Sequence, residues 1–408
     1  MKANRYIWLL LWITSILNSQ WNQQVSNTTR HLYGIDMINE NTGFAVGEIN
    51  TIRKTTNGGL NWLTIIPPYN YDYRDVSFLD INTGVITSGP GNLMIQTYNS
   101  GVSWVVRFPA SDPERIQFID SLVAYATAGF SVIKSIDGCI NWTIVDTSVF
   151  LNAFNGLYFL NKDTGAVVGL RGLIRTTTNG GLSWTQRLMM LPVQFGDSTL
   201  TDVMFVNGLT GYACGNNGIV VKTINGGTNW TYLPTGVLSY LQGIYFNDAN
   251  TGTIVGNTGR IMRTTNGGIN WINQASPLNY PLWDVKFVNH DTGWIVGFNG
   301  LILKTTTGGW TSIKPISSVL PSQFNLYQNY PNPFNPSTNI GFQIPRSSFV
   351  KIVIYDLLGR VIAILVNEQL KSGTYEVEWN ATNEPSGTFL YTIQADSYTE
   401  TKKLVILK

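Results

Sequence analysis

The sequence predicts an all-β protein, a seven-bladed β-propeller followed by a small Ig-like β-sandwich. Three observations predict it. Trp62, Trp104, Trp142, Trp184, Trp230, Trp271 and Trp310 each close a near-copy of one segment, at spacings of 42, 38, 42, 46, 41 and 39 residues. A period near forty marks one supersecondary unit per copy. No window repeats apolar residues at helical spacing over the roughly 12 residues a helix needs, and glycines punctuate every apolar run. After Lys314 the repeat stops and the composition changes at Pro315, Ser317, Ser318 and Pro321.

Residues 1–19 read as a cleaved secretion signal. Lys2 and Arg5 precede an apolar stretch from Tyr6 to Leu17, which ends at the small polar pair Asn18-Ser19. That stretch is too short for a bilayer, where about 20 residues are needed, so no transmembrane helix is expected in the mature chain.

Residues 20–313 are assigned to the propeller. Within one copy, Asp284-Val285-Lys286-Phe287-Val288, Gly293-Trp294-Ile295-Val296-Gly297 and Leu301-Ile302-Leu303-Lys304 are three short strands, and a Trp-led fourth follows the turn. One such sheet cannot bury both of its faces, so the copies must stack, and seven of them close into a ring. Gln20-Trp21-Asn22-Gln23-Gln24 mimics Asn270-Trp271-Ile272-Asn273-Gln274, and Trp21 lies 41 residues before Trp62. The chain therefore enters mid-repeat and supplies the outer strand of the blade formed by residues 282–306. Trp310 competes for that slot, but its turn is two residues shorter than the others, which favours Trp21.

The turn before each tryptophan explains itself physically. Asn57, Asn99, Asp137, Asn179, Asn225 and Asn266 are expected to accept backbone hydrogen bonds two residues on, Gly59 and its counterparts to take positive φ, and the Trp to pack on the next blade. Cys139 replaces that glycine in the third copy, so its turn is expected to be strained or reshaped. The third strand ends on Lys54, Lys134, Arg175, Lys222, Arg263 or Lys304 in six copies, with Gln96 the exception. Each is expected to sit beside the strand-one Asp (Asp75, Asp202, Asp284) or to face water.

Residues 314–322 read as a linker and 323–408 as the sandwich, with alternating strands between Gly and Pro turns. The blocks Asn329-Tyr330-Pro331-Asn332-Pro333-Phe334-Asn335-Pro336, Tyr355-Asp356-Leu357-Leu358-Gly359-Arg360 and Lys402-Lys403-Leu404 resemble the type A C-terminal sorting domain of the type IX secretion system. That resemblance implies passage across the outer membrane with the secretion machinery as partner, and Asn329, Pro331, Asn332, Pro333, Phe334, Asn335, Pro336, Tyr355, Asp356, Gly359, Arg360, Lys402 and Lys403 as the sorting signal. Gly259 to Trp271 likewise resembles the repeat of the photosystem II assembly and stability factor family, a seven-bladed propeller, and its turn resembles the Asp-box of exported propellers.

Composition excludes several function classes. Without Lys2 and Arg5 the basic residues fall from 26 to 24 against 24 acidic ones, a net charge of zero, so there is no electrostatic case for nucleic acid. His31 and His290 are the only histidines, which disfavours a His-dependent triad or an ordinary zinc site, and no metal or cofactor is expected. Cys139 and Cys214 lie two blades apart and are not expected to form a bridge.

Chain direction places the strand one-to-two and three-to-four turns on one rim, and the inter-blade links with the strand two-to-three turns on the other. Only the second rim varies in sequence. A protein or glycan ligand is expected there, on Tyr69, Tyr71, Tyr73, Arg74, Phe108, Phe150, Arg171, Arg187, Phe195, Tyr240, Tyr280, Trp283 and Phe298. The alternative is an exported glycoside hydrolase of sialidase or xyloglucanase type. It would use Asp112, Glu114 or Asp197 as acid and base and an arginine cluster drawn from Arg74, Arg107, Arg115, Arg171 and Arg187.

Overall fold

A computed structural model describes residues 21–408 apart from 90, 110, 149–151, 188–197, 310–312, 318–319 and 382–383. The secretion signal, Phe150, Phe195, Asp197 and Trp310 thus lie outside the described residues.

Nine four-stranded antiparallel sheets form among the described residues, and seven of them lie between Asn22 and Thr305. The first strand of each of the seven touches the first strand of the next, and the seventh returns to the first, so the innermost strands close a ring. The last blade consists of Leu282–Phe287, Gly293–Gly297 and Ile302–Thr305, and its outer strand is Asn22–Gln24, paired in the register Asn22 with Lys304 and Gln24 with Ile302. The N-terminal segment fills the slot for which Trp310 competed. The middle strands, such as Gly165–Gly169 and Gly293–Gly297, are buried along their whole length.

Small side chains set the repeated turn by hydrogen bonding. The Thr55 hydroxyl accepts from the amides of Asn57 and Gly59 at 3.3 and 2.8 Å and donates to Asn57 Oδ1, which accepts the Asn61 amide at 2.9 Å. The asparagine therefore reaches four residues on rather than two, and the hydroxyl one turn earlier takes the nearer amides. Asx caps two residues on do occur, in the strand one-to-two turns, where Asp80 Oδ1 accepts from Asn82 and Thr83. Cys139 takes the glycine's positive φ of 68° yet keeps the pattern, its amide bonded to Ser135 Oγ at 2.9 Å, so the turn is strained but not reshaped.

The closing tryptophans pack differently from expectation. Trp184 stands edge-on to Phe159 of its own blade and donates to the Val145 carbonyl of the preceding one. Trp62 shares its cluster with Trp294 of the preceding, seventh blade.

The strand-three cations also depart from both expectations. Lys54, Lys134, Lys222 and Lys304 each extend over an aromatic ring of their own blade and donate to a turn carbonyl of the next, on Ser100, Gly180, Gly267 and Gly58. Gln96, the apparent exception, donates to the Gly138 carbonyl at 2.7 Å and does the same job. Arg263 reaches forward to the His290 carbonyl, whereas Arg175 turns back to Asp146 at 2.6 Å. These side chains are clasps between blades, not a free cationic ring.

The remaining two sheets enclose one core that includes Phe342, Ile352, Trp379 and Tyr391. Ile313–Ser317, placed largely in the expected linker, instead forms an edge strand paired with Gly373–Asn380. This second unit rests on the sixth blade, where Ile272 packs against Val353 and Ile364.

Candidate functional site

The varied rim opens on the channel through one irregularity repeated around the ring. In five blades the pairing of strand one with strand two slips by a residue near its start, between Leu32 and Gly34, Phe154 and Gly156, Leu200 and Asp202, Leu241 and Gly243, and Leu282 and Asp284. The skipped residues are Tyr33, Asn155, Thr201, Gln242 and Trp283. Arg74 and Glu114 hold the equivalent places in the second and third blades. A bulge re-aims the side chain it frees, and here the freed side chains line a cavity of about 250 Å³ together with Arg115 and Tyr240.

One sector of this mouth is aromatic. Tyr33 lies 5.1 Å from Trp283, Trp283 5.4 Å from His31, His31 4.3 Å from Phe298, and Phe298 5.4 Å from Tyr280. The Arg74 guanidinium stacks on Tyr33 at 4.7 Å and pairs with Asp72 at 3.7 Å, so the seam ends on a held cation. It crosses the junction between the seventh and first blades, where the ring closes.

Below the mouth the next position, after the bulge or its equivalent, reads Gly34, Asp75, Arg115, Gly156, Asp202, Gly243, Asp284 around the ring. A Cβ on Gly34, Gly156 or Gly243 would meet the backbone of Asp75, Asp202 or Asp284 within about 3 Å, so each glycine makes room for its neighbour's carboxylate. Each Asp caps its own following amide and one amide of the next blade: Asp75 that of Ile116, Asp202 that of Ile244, and Asp284 that of Ile35. Burial, partly offset by Arg115, pushes Asp75 up to about 7 and Asp202 to about 6, and raises Asp284 as well. Burial works against the Arg115 charge, but Asp75, Asp202 and Asp284 prevail and hold it above its usual range. Deeper still, Lys286 bonds Asp36 at 2.9 Å, in a lower cavity of about 180 Å³ that shares Arg115 with the mouth.

The expected ligand residues divide accordingly. Arg74, Tyr240 and Trp283 line the mouth, and Tyr280 and Phe298 adjoin it. Tyr69 and Tyr71 sit on the neighbouring link, 6.5 Å apart. Tyr73 is a correction: it is fully buried, and its hydroxyl donates to the Tyr69 carbonyl, so it supports the link and is closed to any ligand. Phe108, Arg171 and Arg187 lie away from the mouth lining, with Arg187 bonded to Thr176 on an outer strand. Of the proposed arginine cluster only Arg74 and Arg115 meet there, while Arg107 is bonded to Gln96. Tyr33, Asn155, Thr201 and Gln242 were missed. The signal that would have found them is the residue just before the Gly or Asp near the start of strand one, as in Tyr33-Gly34 and Thr201-Asp202.

In the second unit the sorting-signal residues act as structure. Asn329, nearly buried, donates to Thr338 and Pro331, and Asn332 Oδ1 accepts the Val405 amide. Asp356 holds Arg360 at 2.6 Å, and Lys402 pairs with Glu400 at 2.9 Å. Among the described residues no group of His, Cys, Asp and Glu is arranged to hold a metal, Cys139 and Cys214 are free thiols, and no helix is long and apolar enough to cross a membrane.

Comparison with known proteins agrees with this architecture. No curated protein matches the chain in sequence. In fold it is similar to the structure titled "YCF48 bound to D1 peptide", at 19% identity and a TM-score of 0.61 over 71% of this chain and 96% of that one. YCF48 from Cyanidioschyzon merolae is similar at 17% identity and a TM-score of 0.61, over 70% of this chain and 98% of that one. A GH74 enzyme of Niastella koreensis shares the fold at 11% identity and a TM-score of 0.56, over 96% of this chain and 75% of that one. Residues 328–407 match the secretion system C-terminal sorting domain, the address of an exported protein. Residues 13–149, 133–238 and 235–332 match a single family, and the chain belongs to it: the photosynthesis system II assembly factor YCF48 family.

Proposed function

We propose that this chain is an exported, non-catalytic recognition protein that holds an extended stretch of another protein across the channel mouth, while its C-terminal unit directs type IX secretion. The observation that carries the reading is the ring at the mouth: seven equivalent positions, five of them bulged, line one opening, and Tyr33, Trp283, Phe298 and Arg74 form a contiguous seam beside it. Aromatic rings offer large contact area at small entropic cost, which suits side chains and backbone of a peptide. A family member with a peptide bound supports the choice of protein over glycan.

Fold likeness to a GH74 enzyme raises glycoside hydrolysis as the rival. Against it, Asp112 Oδ1 is occupied by the amides of Gly91 and Asn92, and Asp75, Asp202 and Asp284 cap backbone amides. A random array of 12-residue peptides, probed with the full chain and with its Trp283→Ala variant, tests the proposal. Peptides retained by the first and lost by the second support it. Xyloglucan turnover that persists in Trp283→Ala, with no peptide retained, would replace it by the enzyme reading.

A further inference from the structure

The hairpin joining Ser348–Tyr355 to Val361–Leu370 presents two consecutive leucines to solvent. Leu357 is 67% exposed and Leu358 80%, and among the described residues neither belongs to a core cluster. The tip is nevertheless held firmly. Asp356 Oδ1 accepts the amides of Leu358 and Arg360, Asp356 Oδ2 accepts Arg360 Nε at 2.6 Å, and the Asp356 and Arg360 backbones bond each other at 3.0 Å. Gly359, at φ 77°, lets the chain turn. A carboxylate, a guanidinium and a glycine thus fix the direction of two leucines that remain mostly exposed.

Register places this tip among the other sorting blocks. Tyr355 pairs with Leu390 and Leu390 with Lys403, so the tip lies at the end of the sheet where Gly387 pairs with Ile406. At that same end Phe334 bridges Ile406, and Leu407 donates to the Phe334 carbonyl. The proline block, the hairpin and the terminal strand, distant in sequence, therefore converge within a few strand spacings of about 4.8 Å. Leu407, at that end, is also exposed.

We propose that Leu357 and Leu358, on this composite end, are the contact the secretion machinery makes with the chain, seated in an apolar pocket of the outer-membrane component that receives cargo. Asp356, Gly359 and Arg360 act as positioning residues that hold the leucines out. The inference rests on the sorting role of residues 328–407. A rigid, pre-formed apolar tip gives affinity without an ordering cost, as interface anchors do.

The test expresses the full chain in a bacterium with a working type IX system and in the same strain with that system disabled. Leu357→Ser with Leu358→Ser should lower the surface and medium fractions about tenfold or more and raise the periplasmic one, at an unchanged melting temperature. Leu357→Met with Leu358→Met should restore export, and Phe349→Ser, 53% exposed at the far end of the strand that leads into the hairpin, should leave it intact. Normal export of the serine variant overturns the proposal, as does equal loss with Phe349→Ser. Should the serine pair lower the melting temperature, Leu358→Gln alone decides by the same readout. Export of the unaltered chain from the disabled strain would instead sink the sorting role itself.

Discussion

Trp21 Nε1 donates to Gln274 Oε1 at 2.9 Å, joining residues 253 apart in the chain. Gln274 passes the contact on, its amide donating to the carbonyls of Gly308 and Gly309 at 3.1 and 2.8 Å. The first described residue thereby fastens the sixth blade to the seventh, and Trp21 stands edge-on to Phe287 at 5.8 Å with no exposed surface. This clasp and the three-residue strand Asn22–Gln24 behind it complete the seventh blade, beside the seventh-to-first contacts of Asp284 with Ile35 and Lys304 with Gly58.

Trp21→Ala is accordingly expected to cost about 3–5 kcal/mol, the range for emptying a buried Trp site. Gln274→Ala should cost about 1–3 kcal/mol by leaving buried donors and acceptors unpaired. Urea unfolding of both single variants and the double should show strong coupling, with the pair losing less than the sum. Additive losses would mean that the clasp is not cooperative.

Stability should fall as pH rises through neutrality. Burial raises Asp75 to about 7 and Asp202 to about 6, and lifts Asp284 too, above the ordinary carboxylate value near 4 of an unfolded chain. Groups raised in the folded state contribute stability that is complete below the unfolded value and lost as pH passes the folded one. Urea midpoints between pH 5 and pH 8 should therefore decline with pH, and Asp75→Asn should flatten the decline. A midpoint that climbs across that window would show that Arg115 outweighs burial at these sites.

The inter-blade clasps make a graded prediction. Lys304 Nζ donates to the Gly58 carbonyl at 2.7 Å and lies 5.0 Å from the Trp294 ring, whereas Lys351 of the second unit makes no ion pair with a described residue. Lys304→Met should lower stability by about 1–3 kcal/mol, the value of a hydrogen bond to a charged group. Lys351→Met should change it by less than about 0.5 kcal/mol. Equal melting temperatures for the two variants would reduce the clasps to surface decoration.

Two neighbouring tyrosines should separate binding from folding. Tyr33 stands at the mouth beside Trp283, and Tyr73 is buried beneath the adjoining link. Tyr33→Ala should weaken retained peptides by about tenfold, an anchor's worth of roughly 1–2 kcal/mol, at nearly unchanged melting temperature. Tyr73→Ala should lower the melting temperature instead, by several degrees, since it opens a core cavity of about 3–5 kcal/mol. Calorimetry of both variants with one array-selected peptide reads the difference.

The forty-residue period decided the blades, because each copy must hide its faces against another copy and a closed ring of sheets does so while leaving only short edges. The same reasoning placed Trp21 in the last blade, and the residue blocks after Lys314 marked the exported tail. What spacing alone did not reveal was direction. Tyr73 and Arg74 are consecutive in the link before Asp75–Phe78, yet Tyr73 is buried in the core and Arg74 lines the mouth, a division set by how the link packs and not by any spacing. Lys54 and its counterparts looked free because their acceptors are carbonyls of the next blade, which carry no side-chain signature. Asp75, Asp202 and Asp284 acquired raised pKa values only once seven blades enclosed them away from water around one arginine. Local hydrogen bonding and apolar pattern are written residue by residue, whereas the mouth, its seam and its charges exist only where blades from opposite ends of the chain meet.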